Sequence, residues 1–266
     1  MNTLSGGLDF YFGTEPANPL LERIVSPSRK FLGDNPDAIY FTCPISTKHR
    51  YRLRGNIAGA VYTSFTIESG SADGSYATRV SADINIGQMN VADDGSYELI
   101  LSADPKTGGN ELNLEADAGT LTTRHYFEEV RSVAGDPTRH VPLTIERLSQ
   151  NETAPIQDDA YVADEIRKVT RYLRGRTLDE PSRDPSAQPR WVSTVPNVFN
   201  QPEKPGDLAF AAVDQAYAMA PYVVMPDEAL VIEGRFPKCV FANLVLWDRF
   251  LQSYDYVNRQ ISLNRK

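Results

Sequence analysis

The stretch Ala60-Val61-Tyr62-Thr63-Ser64-Phe65-Thr66-Ile67-Glu68 places Val61, Thr63, Phe65 and Ile67 on one side of an extended chain and Tyr62, Ser64 and Thr66 on the other. β-branched and aromatic residues at alternate positions mark a strand with one buried face, and the cluster from Gly70 to Gly74 ends it. Working outward, residues 38–42 read as a strand, Pro44-Ile45-Ser46-Thr47 as a turn, and residues 49–54, where Tyr51 and Leu53 alternate with arginines, as the second arm of a hairpin. Residues 80–86 and 97–101 flank the turn signal Asp94-Gly95. Residues 120–127 and 141–148 close the series, with Val141, Leu143 and Ile145 pointing one way. Seven or eight short strands at this spacing predict a mainly β fold, an antiparallel β-sandwich of jelly-roll type.

The period then changes. Val162, Ile166, Val169 and Leu173 step by four, three and four, which predicts one amphipathic helix over residues 158–174, capped by Asp158 or Asp159 and ended by Gly175. Pro181, Pro185, Pro189, Pro196 and Pro205 make the following stretch a long proline-rich excursion, which Trp191 and Phe199 are expected to pin to the body. Residues 208–219 fit helix or strand equally, while 229–233 and 240–247 read as strands. The expected organisation is a lead-in segment over 1–34, a β-sandwich region over 35–150, a helix and proline-rich connection over 151–205, and a C-terminal β region over 206–266.

A chain of 266 residues can bury a substantial core without a disulfide or metal staple. Its 13 Tyr and 11 Phe favour sheet over bundle. The net charge of −8 and pI near 5.0 repel phosphate backbones and anionic lipid, so neither nucleic acid nor membrane is an expected partner. No apolar run approaches the roughly 20 residues that span a bilayer, and residues 1–19 lack the basic and apolar regions of a signal peptide. Cys43 and Cys239, far apart and without CxxC spacing, are expected to be two buried thiols in a reducing, cytoplasmic setting. The sequon Asn151-Glu152-Thr153 has no meaning without export.

Three stretches resemble a bacterial family, the domain of unknown function numbered 1214. The first is Asp34-Asn35-Pro36-Asp37-Ala38-Ile39-Tyr40 with Tyr51-Arg52-Leu53-Arg54-Gly55; the second is Arg124-His125-Tyr126-Phe127 leading to Ile145-Glu146-Arg147-Leu148. The third runs from Glu228-Ala229-Leu230-Val231-Ile232-Glu233-Gly234-Arg235-Phe236-Pro237 through Trp247-Asp248-Arg249 to Tyr254-Asp255-Tyr256, Asn258-Arg259 and Ser262-Leu263-Asn264-Arg265. The resemblance spans roughly residues 34–266 and implies a β-sandwich of jelly-roll type, with no established activity. The family's long members carry a helical segment before the first stretch and a β region after the last, so by this resemblance the chain is expected to be a shortened member or a fragment.

Arg50, Arg52 and Arg54 project from one strand face about 7 Å apart, where they would grip an anion or meet carboxylates of their own sheet. On the strand Arg124-His125-Tyr126, Arg124 and Tyr126 share a face and His125 opposes them; a lone histidine there is more often a satisfied structural residue than a catalyst. Trp247, Arg249, Tyr254, Tyr256, Asn258 and Arg259, with Asn264 and Arg265, offer guanidinium forks, phenols and an aromatic platform suited to a small anionic or amphipathic ligand, and equally to satisfying loop carbonyls. The leading expectation is therefore a non-catalytic binding module whose ligand-binding residues are Arg124, Tyr126, Trp247, Arg249, Tyr254, Tyr256, Asn258 and Arg259. The rival is an enzyme without a cofactor, with His125 and Asp255 as acid–base candidates and Arg259 as the cation; the third reading is a structural homo-oligomer. GxGxxG, P-loop, GxSxG and HExxH signatures are missing, and the three histidines, His49, His125 and His140, are widely spaced, so neither cofactor nor metal is called for.

Overall fold

The computed structural model describes residues 2–30, 33–148, 156–179 and 188–266. The sequon, Pro181 and Pro185 lie outside them. The chain is mainly β with two helices. In order it forms α1 (Asn2–Gly13), β1 (Glu22–Arg23), β2 (Ala38–Pro44), β3 (Tyr51–Asn56), β4 (Tyr62–Ser69), β5 (Arg79–Asn85), β6 (Ser96–Ser102), β7 (Glu111–Asn113), β8 (Ala118–Tyr126), β9 (Leu143–Arg147), α2 (Asp159–Gly175), β10 (Leu244–Val245) and β11 (Ser262–Leu263).

One sheet has the strand order β1-β2-β8-β4-β5 and a second the order β7-β6-β3-β9; β10 and β11 form a separate pair. The first two share a core. Cys43, Phe65, Ile67 and Leu121 from the five-stranded sheet meet Tyr51, Leu53, Leu99 and Leu101 from the four-stranded one, all shut off from solvent. Burying each large apolar side chain contributes about 1.5–3 kcal/mol, so this shared layer is the main source of stability.

The strands expected between residues 38 and 148 form with small boundary shifts, but their pairing differs from expectation. β2 and β3 form no hairpin, because they lie in different sheets. Ile45, 1% exposed within the connection, and Tyr51 at its far end are both inside the shared core, so the chain crosses from one sheet to the other. β5 and β6 are likewise separated by a crossing, through Met89 and Val91. β7 pairs with β6 in parallel, so the strands are not purely antiparallel. Arg52 and Arg54 face outward and meet carboxylates of their own sheet, Arg52 Nε at 2.6 Å from Glu146 and Arg54 Nε at 3.0 Å from Glu98.

α2 starts where expected, with the Asp158 carboxylate accepting a hydrogen bond from Tyr161 N. Its apolar stripe is only partly used: Val169 is buried, whereas Val162 and Ile166 stay exposed. α1 was not expected at all. Gly6 and Gly7 make the segment look like a loop, yet they serve close packing, since a Cβ on Gly7 would lie 2.9 Å from the Tyr172 ring of α2. Tyr11 meets the same ring edge-on at 5.9 Å.

The C-terminal region departs most from expectation. Residues 229–233 form no strand, and of 240–247 only Leu244–Val245 does, paired with Ser262–Leu263. Residues 208–219 are neither helix nor strand and attach through isolated bridges such as Arg79↔Leu208 and Val192↔Met219. Strand-forming residues need a partner edge, and this stretch has none beside it over any length. Trp191 packs on Tyr217 as expected, with ring centres 5.5 Å apart, but Phe199 is largely exposed. Cys43 is buried; Cys239 is exposed, because it sits in the solvated stretch 221–240. Both are free thiols.

Candidate functional site

Register places the polar alternate positions of β4 in rows with those of its neighbours. Tyr40, Arg124, Ser64 and Asn85 stand side by side across β2, β8, β4 and β5; Thr42, Thr122, Thr66 and Asp83 form the next row, and Pro44, Thr120, Glu68 and Val80 the one after. The opposite face of the same strands is the shared core, so these rows lie on the outer face of the sheet. An outer face of Ser, Thr, Glu and Arg should be wet. Here it is covered: Ser64 is 2% exposed, Arg124 4% and Glu68 0%.

The cover is an irregular strap, residues 207–217, together with Phe241, whose ring lies 4.9 Å from that of Tyr126. At the centre of the strap, Phe210 N donates to Glu68 Oε2 at 3.0 Å, and Arg124 Nη2 donates to Phe210 O at 2.9 Å and to Ala211 O at 3.4 Å. Arg124 Nη1 donates to Thr66 Oγ1 at 2.8 Å, and the Thr66 hydroxyl in turn donates to Glu68 Oε1 at 3.3 Å. The Glu68 and Arg124 charges approach to 3.9 Å. Farther along, Asn85 Nδ2 donates to Asp214 Oδ2 at 3.0 Å. Ser64 Oγ has no hydrogen-bond partner among the described residues.

Burial raises the Glu68 carboxyl above the usual range, with the Arg124 charge pulling the other way. It raises Asp214 too, and pushes up the Tyr40 and Tyr217 phenols, which Arg124 opposes in both cases. The centre of the layer is thus a polar face with one ion pair, removed from water. It can offer a carboxylate, a guanidinium, hydroxyls and phenols to a molecule that replaces its cover, with the electrostatic strength that a low dielectric gives.

His125 is on the other side of the sheet. It is fully enclosed, its Nδ1 3.2 Å from Thr63 Oγ1 and its Nε2 3.1 Å from Thr123 Oγ1, edge-on to Phe41 and Phe65. Burial lowers its pKa to about 3, which keeps it neutral at physiological pH. Asp255 is at the surface, held below its usual range chiefly by the Asn258 side chain, then by the Asn258 and Val257 amides. Arg259 is exposed as well. The structure therefore does not assemble His125, Asp255 and Arg259 into one acid–base site: the first faces the core and the other two face solvent.

The remaining sequence candidates anchor the C-terminal segment. Trp247 Nε1 donates to Asp34 O at 2.8 Å, and Asp34 Oδ1 accepts from Ser253 N at 2.8 Å while Oδ2 accepts from Ser253 Oγ. Asp37 accepts from Asn243 Nδ2 at 2.9 Å and Ser262 Oγ at 3.0 Å. Tyr256 packs with Ala134 and Ile261 beneath Lys30, whose Nζ lies 3.5 Å from the ring centre. Tyr254 shares a hydrogen bond with Tyr222 at 2.7 Å, and Arg249 lies over the Phe250 ring. Arg265 Nε meets Glu128 at 2.6 Å, and Asn264 donates to Glu129 O at 2.9 Å. Arg124 and Tyr126 belong to the covered layer instead. Tyr40, Ser64, Thr66, Glu68 and the strap were missed; the one sequence signal was Glu68 ending a run that otherwise alternates hydroxyls with apolar residues.

No protein-family model matches the chain, and neither does any curated protein. Among solved structures it is similar over 99% of its length, and 71% of the other chain, to an uncharacterised protein from Burkholderia cenocepacia, at 21% identity and a TM-score of 0.69. What the two share is the fold. Similarity to the VPA0106 protein from Vibrio parahaemolyticus covers 49% of this chain and 31% of that one, at 17% identity and a TM-score of 0.29. Among the described residues no group of three His, Cys, Asp or Glu side chains could hold a metal ion, and no helix is long and apolar enough to cross a membrane.

Proposed function

We propose that the protein is a non-catalytic binding module whose recognition surface is the covered polar face of the five-stranded sheet, centred on Arg124 and Glu68. The observation that carries this reading is the burial of an ion pair and an unpartnered Ser64 hydroxyl on a face that needs neither for the shared core. Buried charge pairs seldom add net stability over apolar packing, so a face built from them is better suited to recognition than to support. Relative to the sequence expectation, the site moves from the 254–265 segment, where Tyr254, Asp255, Asn258 and Asn264 are used in internal contacts and the Tyr256 hydroxyl alone is buried without a partner among the described residues, to Arg124 and Tyr126 and the rows beside them. In this reading the two main sheets form the jelly-roll sandwich that the resemblance to the domain family numbered 1214 implies, and the two free thiols suit a reducing cytoplasm.

A thermal-shift screen against small carboxylates, amino acids, acylated amino acids, dipeptides, sugars, nucleotides and fatty acids tests it. A ligand at 100 times its Kd adds about 2.7 kcal/mol to the folded state. The expected result is a hit that disappears in the double variant Glu68→Met with Arg124→Met, which removes both charges together. A flat screen, or hits that persist in the double variant, would overturn the reading.

A second reading has its own support. Residues 221–240 are almost wholly exposed, with Val223, Met225, Val231 and Val240 each more than half exposed. Such a stretch suits assembly with another protein chain, and light scattering of the purified protein would give a mass above the monomer if the partner is a second copy.

A further inference from the structure

Every residue's main chain carries one donor and one acceptor. Glu68 and Arg124 read both on a single residue: the carboxylate takes the Phe210 N–H at 3.0 Å and the guanidinium gives to the Phe210 carbonyl at 2.9 Å. The Phe210 ring meets the Tyr76 ring edge-on at 5.2 Å and lies 5.6 Å from the Arg176 guanidinium. Together these groups define a seat for an acylated aromatic residue, with its amide read from the sheet and its ring held against an aromatic and a cation.

The chain's own occupant fits this seat imperfectly. Phe210 adopts φ +62°, a left-handed conformation that side chains other than glycine rarely take. A free ligand need not adopt it. Ser64, directly opposite Arg124 in register, is 2% exposed and receives no hydrogen bond from the strap or from any other described residue. Besides the bonds of Glu68 and Arg124 to Phe210 and Ala211, the strap is tied to the sheet by Val80 N to Asp207 O at 2.8 Å on one side of Phe210 and by the Asn85 side chain to Asp214 on the other.

Resting on the reading of this face as a recognition surface, we propose that Glu68 and Arg124 form a clamp for the amide of an acylated or peptide-borne aromatic residue, and that Phe210 occupies it as a displaceable internal ligand. The strap then competes with the external ligand, and loosening it raises apparent affinity.

Calorimetric titration of the full chain with N-acetyl-phenylalaninamide tests the clamp. Phe210→Ala, which removes the internal ring, should bind the probe at least tenfold more tightly than wild type. N-acetyl-alaninamide should show no such gain, and adding Glu68→Met to Phe210→Ala, which leaves the probe's N–H without its acceptor, should abolish binding. A cooperatively folded Phe210→Ala protein that does not bind millimolar probe would overturn the proposal. Should that variant fail to fold, amide exchange of the wild type decides: probe should speed exchange at Phe210, and unchanged exchange would overturn the clamp. If the wider ligand screen gives hits that depend on Glu68 and Arg124 while this probe stays silent, the clamp fails and the recognition surface stands; silence from both removes both.

Discussion

The outer layer of the five-stranded sheet and the C-terminal segment of residues 241–266 draw on the same residue types, Arg, Tyr, Asp or Glu and Ser, yet use them in opposite ways. In the segment, most polar groups are consumed where they stand, the buried Tyr256 hydroxyl excepted: Asp255 closes its own turn, Asp34 holds Ser253, and Asp37 holds Asn243 and Ser262. In the sheet layer, Glu68 and Arg124 are carried out of water by a strap 142 and 86 residues away in sequence, and each bonds to the main chain of Phe210. On the reading proposed above, density of polar and aromatic residues does not by itself locate the site. Burial of charge on a face that the core does not require is the better guide.

The contrast can be broken at several points. The largest effect is expected for Arg124→Ala, which strands the Glu68 carboxylate and should cost about 3–5 kcal/mol in a denaturant melt, while Arg259→Ala leaves stability unchanged within error. Equal losses would erase the distinction between the two regions. Next comes Asp34→Ala, which deprives the Ser253 amide and hydroxyl of their acceptor and should cost about 1–3 kcal/mol. Limited proteolysis should then cut within 241–266 before the sheets; protection there would mean the segment is held by something else.

His125 sharpens the comparison between the two faces of the sheet. Its pKa, near 3 when folded, lies below the ordinary 6.5, so between these values the unfolded chain binds a proton that the folded chain does not. Its contribution is complete above pH 6.5 and is lost as pH falls toward 3, at about 1.4 kcal/mol per pH unit. Glu68, Asp34 and Asp37, raised by burial, act in the opposite sense in acid. A comparison with His125→Gln cancels them, and the wild type should lose stability faster than the variant on acidification; parallel profiles would contradict the buried neutral imidazole. The smallest effect is a gain. Tyr97 lies over Gly55 with its hydroxyl buried and without a hydrogen-bond partner among the described residues, so Tyr97→Phe should raise stability by about 1 kcal/mol, and a loss would reveal a bond to that hydroxyl.

Alternation made the strands legible: Thr63, Phe65 and Ile67 face inward as the pattern at residues 60–68 requires. Which sheet each strand joins was not legible, because Ile45 and Met89 look like ordinary turn-flanking residues until the second sheet is present to bury them. α1 was hidden by Gly6 and Gly7, whose use depends on Tyr172 far along the chain. The polar layer was missed for a similar reason. Ser64, Thr66 and Glu68 alternate as a solvated face does, and nothing local announces that residues 207–217 will cover them.

The most direct test of that covered face is an amide and side-chain NMR footprint of whichever small ligand binds the intact protein. Perturbations should concentrate at Ser64, Thr66, Glu68, Arg124 and Phe210; a footprint centred on Tyr254, Tyr256, Asn258 and Arg259 would return the site to the C-terminal segment.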